Sequence, residues 1–181
     1  MGEVWRASRD GQTFALKRIL EPLQEDSSFV EMFLDECRVS RLLKHPNLVQ
    51  VFEAGQVGGR HYLAMELLEG ESALELFQRR VKGAPLDIPA SCELIAQAAE
   101  GLHAAHQTRD DSGKPLQVVH RNIGLANLIL CPDGRVKVID FGIHWALGRK
   151  THTEPGTLKG QAGYMSPEQL RNQPFDHRAD L

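Results

Sequence analysis

The chain changes character at Glu69-Gly70. Before it, short runs of valine, leucine and aromatic residues alternate with turn dipeptides; after it, alanine-rich segments recur at the spacing of an amphipathic helix. Val4 to Ala7 and Thr13 to Ile19 flank Asp10-Gly11, a pair suited to the positive φ angles of a tight hairpin. Ser28 and Glu31 form a capping-box pattern, and Val30, Phe33, Leu34, Cys37 and Leu42 predict a helix up to Lys44, broken by His45-Pro46-Asn47. Leu48 to Glu53 and His61 to Glu66 read as two more strands, with Gly55, Gly58 and Gly59 in the turn between them. The stretch Ala90 to His106 predicts a long helix with Cys92, Ile95, Ala99, Leu102 and His106 along its inner stripe. Short strands at Leu128 to Leu130 and Arg135 to Ile139 bracket Pro132-Asp133-Gly134. This order predicts an α+β chain of two lobes, 1–68 rich in strands and 69–181 rich in helix, with a cleft where they meet.

Length and charge narrow the function. At about 150 residues per domain, a chain of 181 residues makes one domain or two small lobes. With 21 basic and 24 acidic side chains, a net charge of −3, the chain lacks the electrostatic footprint of a nucleic-acid binder. No apolar run is long enough to cross a bilayer, and the first residues lack a signal peptide's apolar core, so no membrane segment is expected and the default compartment is cytoplasmic. Cys37, Cys92 and Cys131 show no paired spacing, which predicts neither a disulfide frame nor a zinc site.

The residues that could carry chemistry follow the demands of phosphoryl transfer, which needs cations on the phosphates, oxygen ligands for magnesium and a group that orients the nucleophile. Phe14-Ala15-Leu16-Lys17 puts a lysine on a strand, and Glu36 stands nineteen residues later on the helix, where it could hold that lysine. Asn127 and Asp140 offer a neutral and a charged oxygen ligand, as a hard cation prefers. In this order, the pieces resemble the signature set of protein kinases. Gly2-Glu3-Val4 is similar to the end of the glycine-rich loop, His120-Arg121-Asn122 with Asn127 to the catalytic loop, Asp140-Phe141-Gly142 to the metal-binding triplet, and Ser166-Pro167-Glu168 to the close of the activation segment. Asp180 resembles the aspartate that anchors the catalytic loop from the next helix. The likeness is to bacterial serine/threonine kinases of the eukaryotic-like type, in their myxobacterial form, and it runs from residue 1 to residue 181.

The resemblance implies a protein-kinase-like two-lobe fold and the use of ATP and Mg2+. It places adenine between Val4 and Ala15 above and Ile129 below, with the backbone of Glu66 and Leu68 at its edge and Met65 behind. It assigns Gly2 and Lys17 to the phosphates, Asn127 and Asp140 to the metal, and Lys17, Glu36 and the position of Asn122 to catalysis. A protein substrate or a partner kinase would be the macromolecular partner. Arg121 resembles the arginine that pairs with a phosphorylated activation segment, with Thr151, Thr153 and Thr157 as candidate acceptors.

Two departures qualify the expectation. Asn122 stands where the family places the aspartate that accepts the hydroxyl proton, and an amide cannot serve as that base. Gly124, Leu125 and Gln161 replace a lysine, a proline and a threonine around the transferred phosphate. Set beside the family, the chain reads as incomplete at both ends, a truncated form of the domain. The expected activity is ATP-Mg binding with weak or absent transfer to serine or threonine; a fully active kinase and an interaction module without catalysis are the alternatives.

Overall fold

The computed structural model describes residues 2–80, 88–141 and 162–181. Strands β1 (Gly2–Arg9), β2 (Gln12–Ile19), β3 (Val51–Val57) and β4 (Arg60–Glu66) form an antiparallel sheet in the order β1-β2-β4-β3. The β1–β2 hairpin closes on Asp10 and Gly11 at φ 54° and 79°, the left-handed pair that a two-residue turn requires. A short helix α1 (Glu21–Gln24) leads into α2 (Ser27–Leu42), whose Phe29, Phe33 and Cys37 pack on Ala15, Ile19, Val51, Leu63 and Met65.

The second lobe holds β5 (Glu71–Ser72), α3 (Ala73–Arg80), α4 (Ile88–His106), β6 (Leu128–Leu130), β7 (Val136–Val138) and the short α5 (Pro167–Leu170). Its core joins Leu94, Ala98, Leu102 and Ala105 of α4 to Leu128, Val136, Val138 and Phe141. Leu43 and Leu48, although they belong to the N-terminal half of the sequence, are buried in this second cluster. Leu48 forms a parallel bridge with Val138; Val49 N–H donates to the Val138 carbonyl at 3.0 Å, and Val138 N–H to the Asn47 carbonyl at 2.8 Å. No helix among the described residues is long and apolar enough to cross a membrane.

Three local expectations are corrected. The start of α2 is capped by Asp26, whose carboxylate accepts from Phe29 N–H at 3.3 Å, two residues earlier than the Ser28–Glu31 box. The third strand begins at Val51 and runs to Val57 with a bulge between Val51 and Glu53, because Leu48 and Val49 are committed to β7; Gly55 therefore lies within the strand. On α4 the buried face is Leu94, Ala98, Gly101, Leu102 and Ala105, while Cys92 and Ile95 are exposed. The cause is close approach: a Cβ on Gly101 would stand 2.9 Å from the Asn47 carbonyl oxygen and 3.1 Å from Leu48 Cδ2. The helix is drawn in by its small residues, so the large ones do not mark its inner face.

Candidate active site

The site forms where β2, β6, β7 and the loop 120–127 converge. Lys17 projects from β2 opposite Val4 on β1 and Leu63 on β4, and is buried at 8% exposure. Its ammonium meets Asp140 Oδ1 at 2.6 Å, an ion pair that spans the lobes. Asp140 follows directly on β7 and Ile139, and holds φ at 61°. Such a backbone costs on the order of 1–3 kcal/mol in a non-glycine residue and collects at functional sites. Ile139 N–H donates to the Asn127 carbonyl at 3.0 Å, which sets Asn127 beside the start of the Asp140 loop. Asn127 is buried, and its side-chain nitrogen donates to the Asn122 carbonyl at 2.7 Å, leaving the side-chain oxygen for a cation. Lys17, Asn127 and Asp140 thus come together at one place. Two oxygen donors of this kind fit a hard divalent ion.

The loop that carries Asn122 is held from beneath by Asp180. One Asp180 oxygen accepts from His120 N–H and from His106 Nε2, both at 2.8 Å, and the other from Arg121 N–H at 2.8 Å. Burial pulls the Asp180 pKa upward, but these donors outweigh it and the net shift is downward. Asp180 sits in a 3₁₀ turn, His177–Asp180. His120 is fully buried against Phe141, their rings 4.6 Å apart. Burial lowers its pKa against the pull of the Ile139 carbonyl and Asp180. A neutral imidazole suits its bonds, since Nδ1 accepts from Asn122 N–H at 3.3 Å and Nε2 lies 2.9 Å from the Ile139 carbonyl as a donor.

Asn122 lies in this frame with its side-chain nitrogen buried and without a hydrogen-bond partner. Gly124 lies under the Tyr164 ring, a Cβ there being 3.2 Å from Tyr164 Cδ2. At the other end of the cleft, Ala15 is buried opposite Met65, Ile129 is half-buried opposite Lys137, and Val4 is exposed. Gly2 pairs with Ile19 within β1; a Cβ there would come to 2.7 Å of the Arg18 carbonyl oxygen, so the strand approach needs glycine. Glu66 N–H is committed to the Gln50 carbonyl at 2.9 Å, so of its two backbone polar groups only the carbonyl could meet a base. Leu68 is half-buried at the edge of the first core. Glu36 falls on α2, but its side chain lies outside the described residues, as do Gly142, Thr151, Thr153, Thr157 and Gln161.

Sequence reasoning missed several polar residues that build this frame. His106, read as part of an apolar stripe, is the Asp180 partner. Gln97 on α4 accepts from Asn47 Nδ2 at 2.9 Å and from Val136 N–H at 2.8 Å. Gln169 completes a capping box with Ser166 on α5 and donates to the Arg121 carbonyl at 2.9 Å, tying the Ser-Pro-Glu turn to the loop of Asn122. For Gln97, the available signal was a polar residue at the helical spacing of Leu94, Ala98 and Gly101.

Comparison with known proteins agrees with this geometry. A family model described as the protein kinase domain matches residues 1–181. The tyrosine-protein kinase MasK of Myxococcus xanthus is 44% identical over 189 residues, which cover 100% of this chain and 29% of the relative. Serine/threonine-protein kinase PknA of Mycobacterium tuberculosis is 31% identical over 176 residues, 93% of this chain and 38% of that protein. The chain therefore spans about a third of the length of these curated relatives. Among solved structures, the Mycobacterium tuberculosis PknI kinase domain is similar with a TM-score of 0.70 and 28% identity, covering 99% of this chain and 64% of that one. Fold, cleft and kinship point the same way: the chain belongs to the protein kinase family.

Proposed function

We propose that the chain binds ATP with magnesium between its lobes and that phosphoryl transfer to serine or threonine of a protein is slow or lost. The family implies ATP and a divalent metal; the Lys17–Asp140 pair and the Asn127 oxygen are the groups of this chain that would receive them. When bound, magnesium supplies charge neutralisation at the phosphates. Lys17 would add a positive charge, and Gly2, where β1 runs close beside β2, would lie at the phosphate side. Glu66 and Leu68 offer the backbone edge for the base. The partners are a protein substrate or a partner kinase, met in the cytoplasm.

The observation that carries the reading is Asn122. Its backbone is bonded as the loop requires, through His120 and Asn127. Yet the side chain can take up no proton, and loss of a general base typically costs about 10²–10⁴ in rate. Measuring phosphate incorporation with magnesium-ATP in this chain and in Asn122→Asp tests it: a gain of that order is expected, and equal rates would overturn the impairment. A melting-temperature rise with magnesium-ATP, following mass action, is the matching test of binding; no rise favours an interaction module.

A second reading is transfer to tyrosine, favoured by the name of the 44% identical relative, a tyrosine-protein kinase. A phenol, with pKa near 10, gives up its proton more readily than an aliphatic alcohol and depends less on the missing carboxylate. Phosphoamino-acid analysis of the product separates the two.

A further inference from the structure

Strand β7 contains a lysine where its neighbours suggest an apolar residue. Val136 and Val138 are buried in the second core, and Lys137 between them is only 5% exposed. A buried ammonium must be paired. Its Nζ donates to Glu66 Oε1 at 2.6 Å and to the Leu48 carbonyl at 3.1 Å. The same Glu66 oxygen accepts from Gln50 N–H at 2.6 Å, while Glu66 N–H returns a bond to the Gln50 carbonyl at 2.9 Å. Glu66 is thus fixed through both its side chain and its backbone, at the residue where the chain leaves the first lobe.

The placement joins two ends of the cleft. Glu66 closes β4 and begins the segment whose backbone faces the base; Lys137 lies three residues before Asp140 on the strand that delivers it. An apolar side chain at 137 would satisfy packing, and replacing a buried ion pair by apolar groups is often neutral for stability. What an apolar residue could not supply is direction: a hydrogen-bonded ammonium fixes Glu66 and the Leu48 carbonyl relative to β7.

We propose that Lys137 is a positioning residue for the nucleotide base, holding the Glu66 backbone in the orientation that adenine requires. The proposal rests on the reading of this cleft as a Mg-ATP site. It predicts a loss specific to the base end, because Lys17, Asn127 and Asp140 are anchored by other bonds.

The test titrates Mg-ADP and magnesium tripolyphosphate into the chain and into Lys137→Met, Glu66→Gln and the double variant. Lys137→Met is expected to weaken Mg-ADP about tenfold, the scale of one charge-assisted hydrogen bond, and to leave tripolyphosphate affinity unchanged. The two single losses should not add in the double variant, since both break one pair. Equal weakening of both ligands, or additive losses, would overturn the proposal in favour of a purely structural role. Glu66→Gln keeps the side chain's shape and a carbonyl acceptor, so it reports even where Lys137→Met folds poorly. If the unaltered chain takes up no Mg-ADP, the nucleotide reading has failed; amide exchange at Leu67 and Leu68 then decides whether Lys137 orders the segment, with unchanged exchange in Lys137→Met counting against it.

Discussion

The proposed nucleotide end of the cleft and the proposed transfer end are built with equal care but carry different chemistry. At the nucleotide end, Lys17 and Asp140 form a charged pair at 2.6 Å and Asn127 holds its oxygen beside them. At the proposed transfer end, Asp180, His120 and Gln169 fix the loop backbone by four hydrogen bonds among them, yet the side chain presented there is an amide. A rigid scaffold therefore does not by itself identify a working catalyst. Backbone anchoring and proton chemistry are separable properties: the structure shows the first, and the proposal of slow transfer concerns the second.

The largest expected effect follows directly from that separation. Asn122→Asp should raise transfer by about 10²–10⁴-fold while leaving the Mg-ATP dissociation constant unchanged; a change in affinity without a change in rate would dissolve the contrast between the two ends. Next comes the anchor. Asp180→Ala strips the acceptor from His106, His120 and Arg121 in a site where the aspartate side chain is fully buried. Breaking a buried pair in this way costs about 3–5 kcal/mol, which urea unfolding would read.

Replacing Lys17 by methionine should weaken Mg-ATP about tenfold, as expected for one charged contact, and should also lower the melting temperature without nucleotide, because Asp140 loses its ion-pair partner. Lys17→Arg should not recover it, because a planar fork does not substitute for a compact ammonium. The pH response has a definite sign. His120 is depressed by burial below 6.5, so on acidification through that value the unfolded chain gains a proton that the folded chain refuses, and stability falls. Asp180 adds a second loss at lower pH: its folded value lies below 3.8, so its contribution is present above 3.8 and disappears as pH drops through the folded value. Melting temperature against pH, with His120→Gln removing only the first step, checks both. The smallest effect belongs far from the cleft. Arg9 and Glu53 pair across the outer sheet in solvent, and Arg9→Ala should move neither the melting temperature nor nucleotide affinity.

The two-lobe architecture was legible in the sequence because it is written in local signals. Asp10-Gly11 forms a hairpin almost wherever it lies between alternating strands, and Gly134 turns the second one at φ 84°. Lys17, Asn127 and Asp140 could be named because each lies within a short motif, although their meeting depends on contacts across as many as 123 residues. What escaped was long-range polar pairing and small-residue packing. His106, Gln97 and Lys137 look like surface or stripe residues until the partner segment is in place. The inner face of α4 is marked by Ala98, Gly101 and Ala105, whose role is to allow approach, so a search for large apolar side chains selected Ile95 instead. Asp26 caps α2 with a carboxylate two residues before the serine of the expected box, a choice that local composition leaves open.

Leu43 and Leu48 are stitched into the far lobe while remaining covalently part of the near one. Dissection of the protein at Glu69 would thus not yield two self-sufficient halves. The C-terminal piece would lose two leucines of its interior and leave Val138 without the strand partner that Asn47 to Val49 provide.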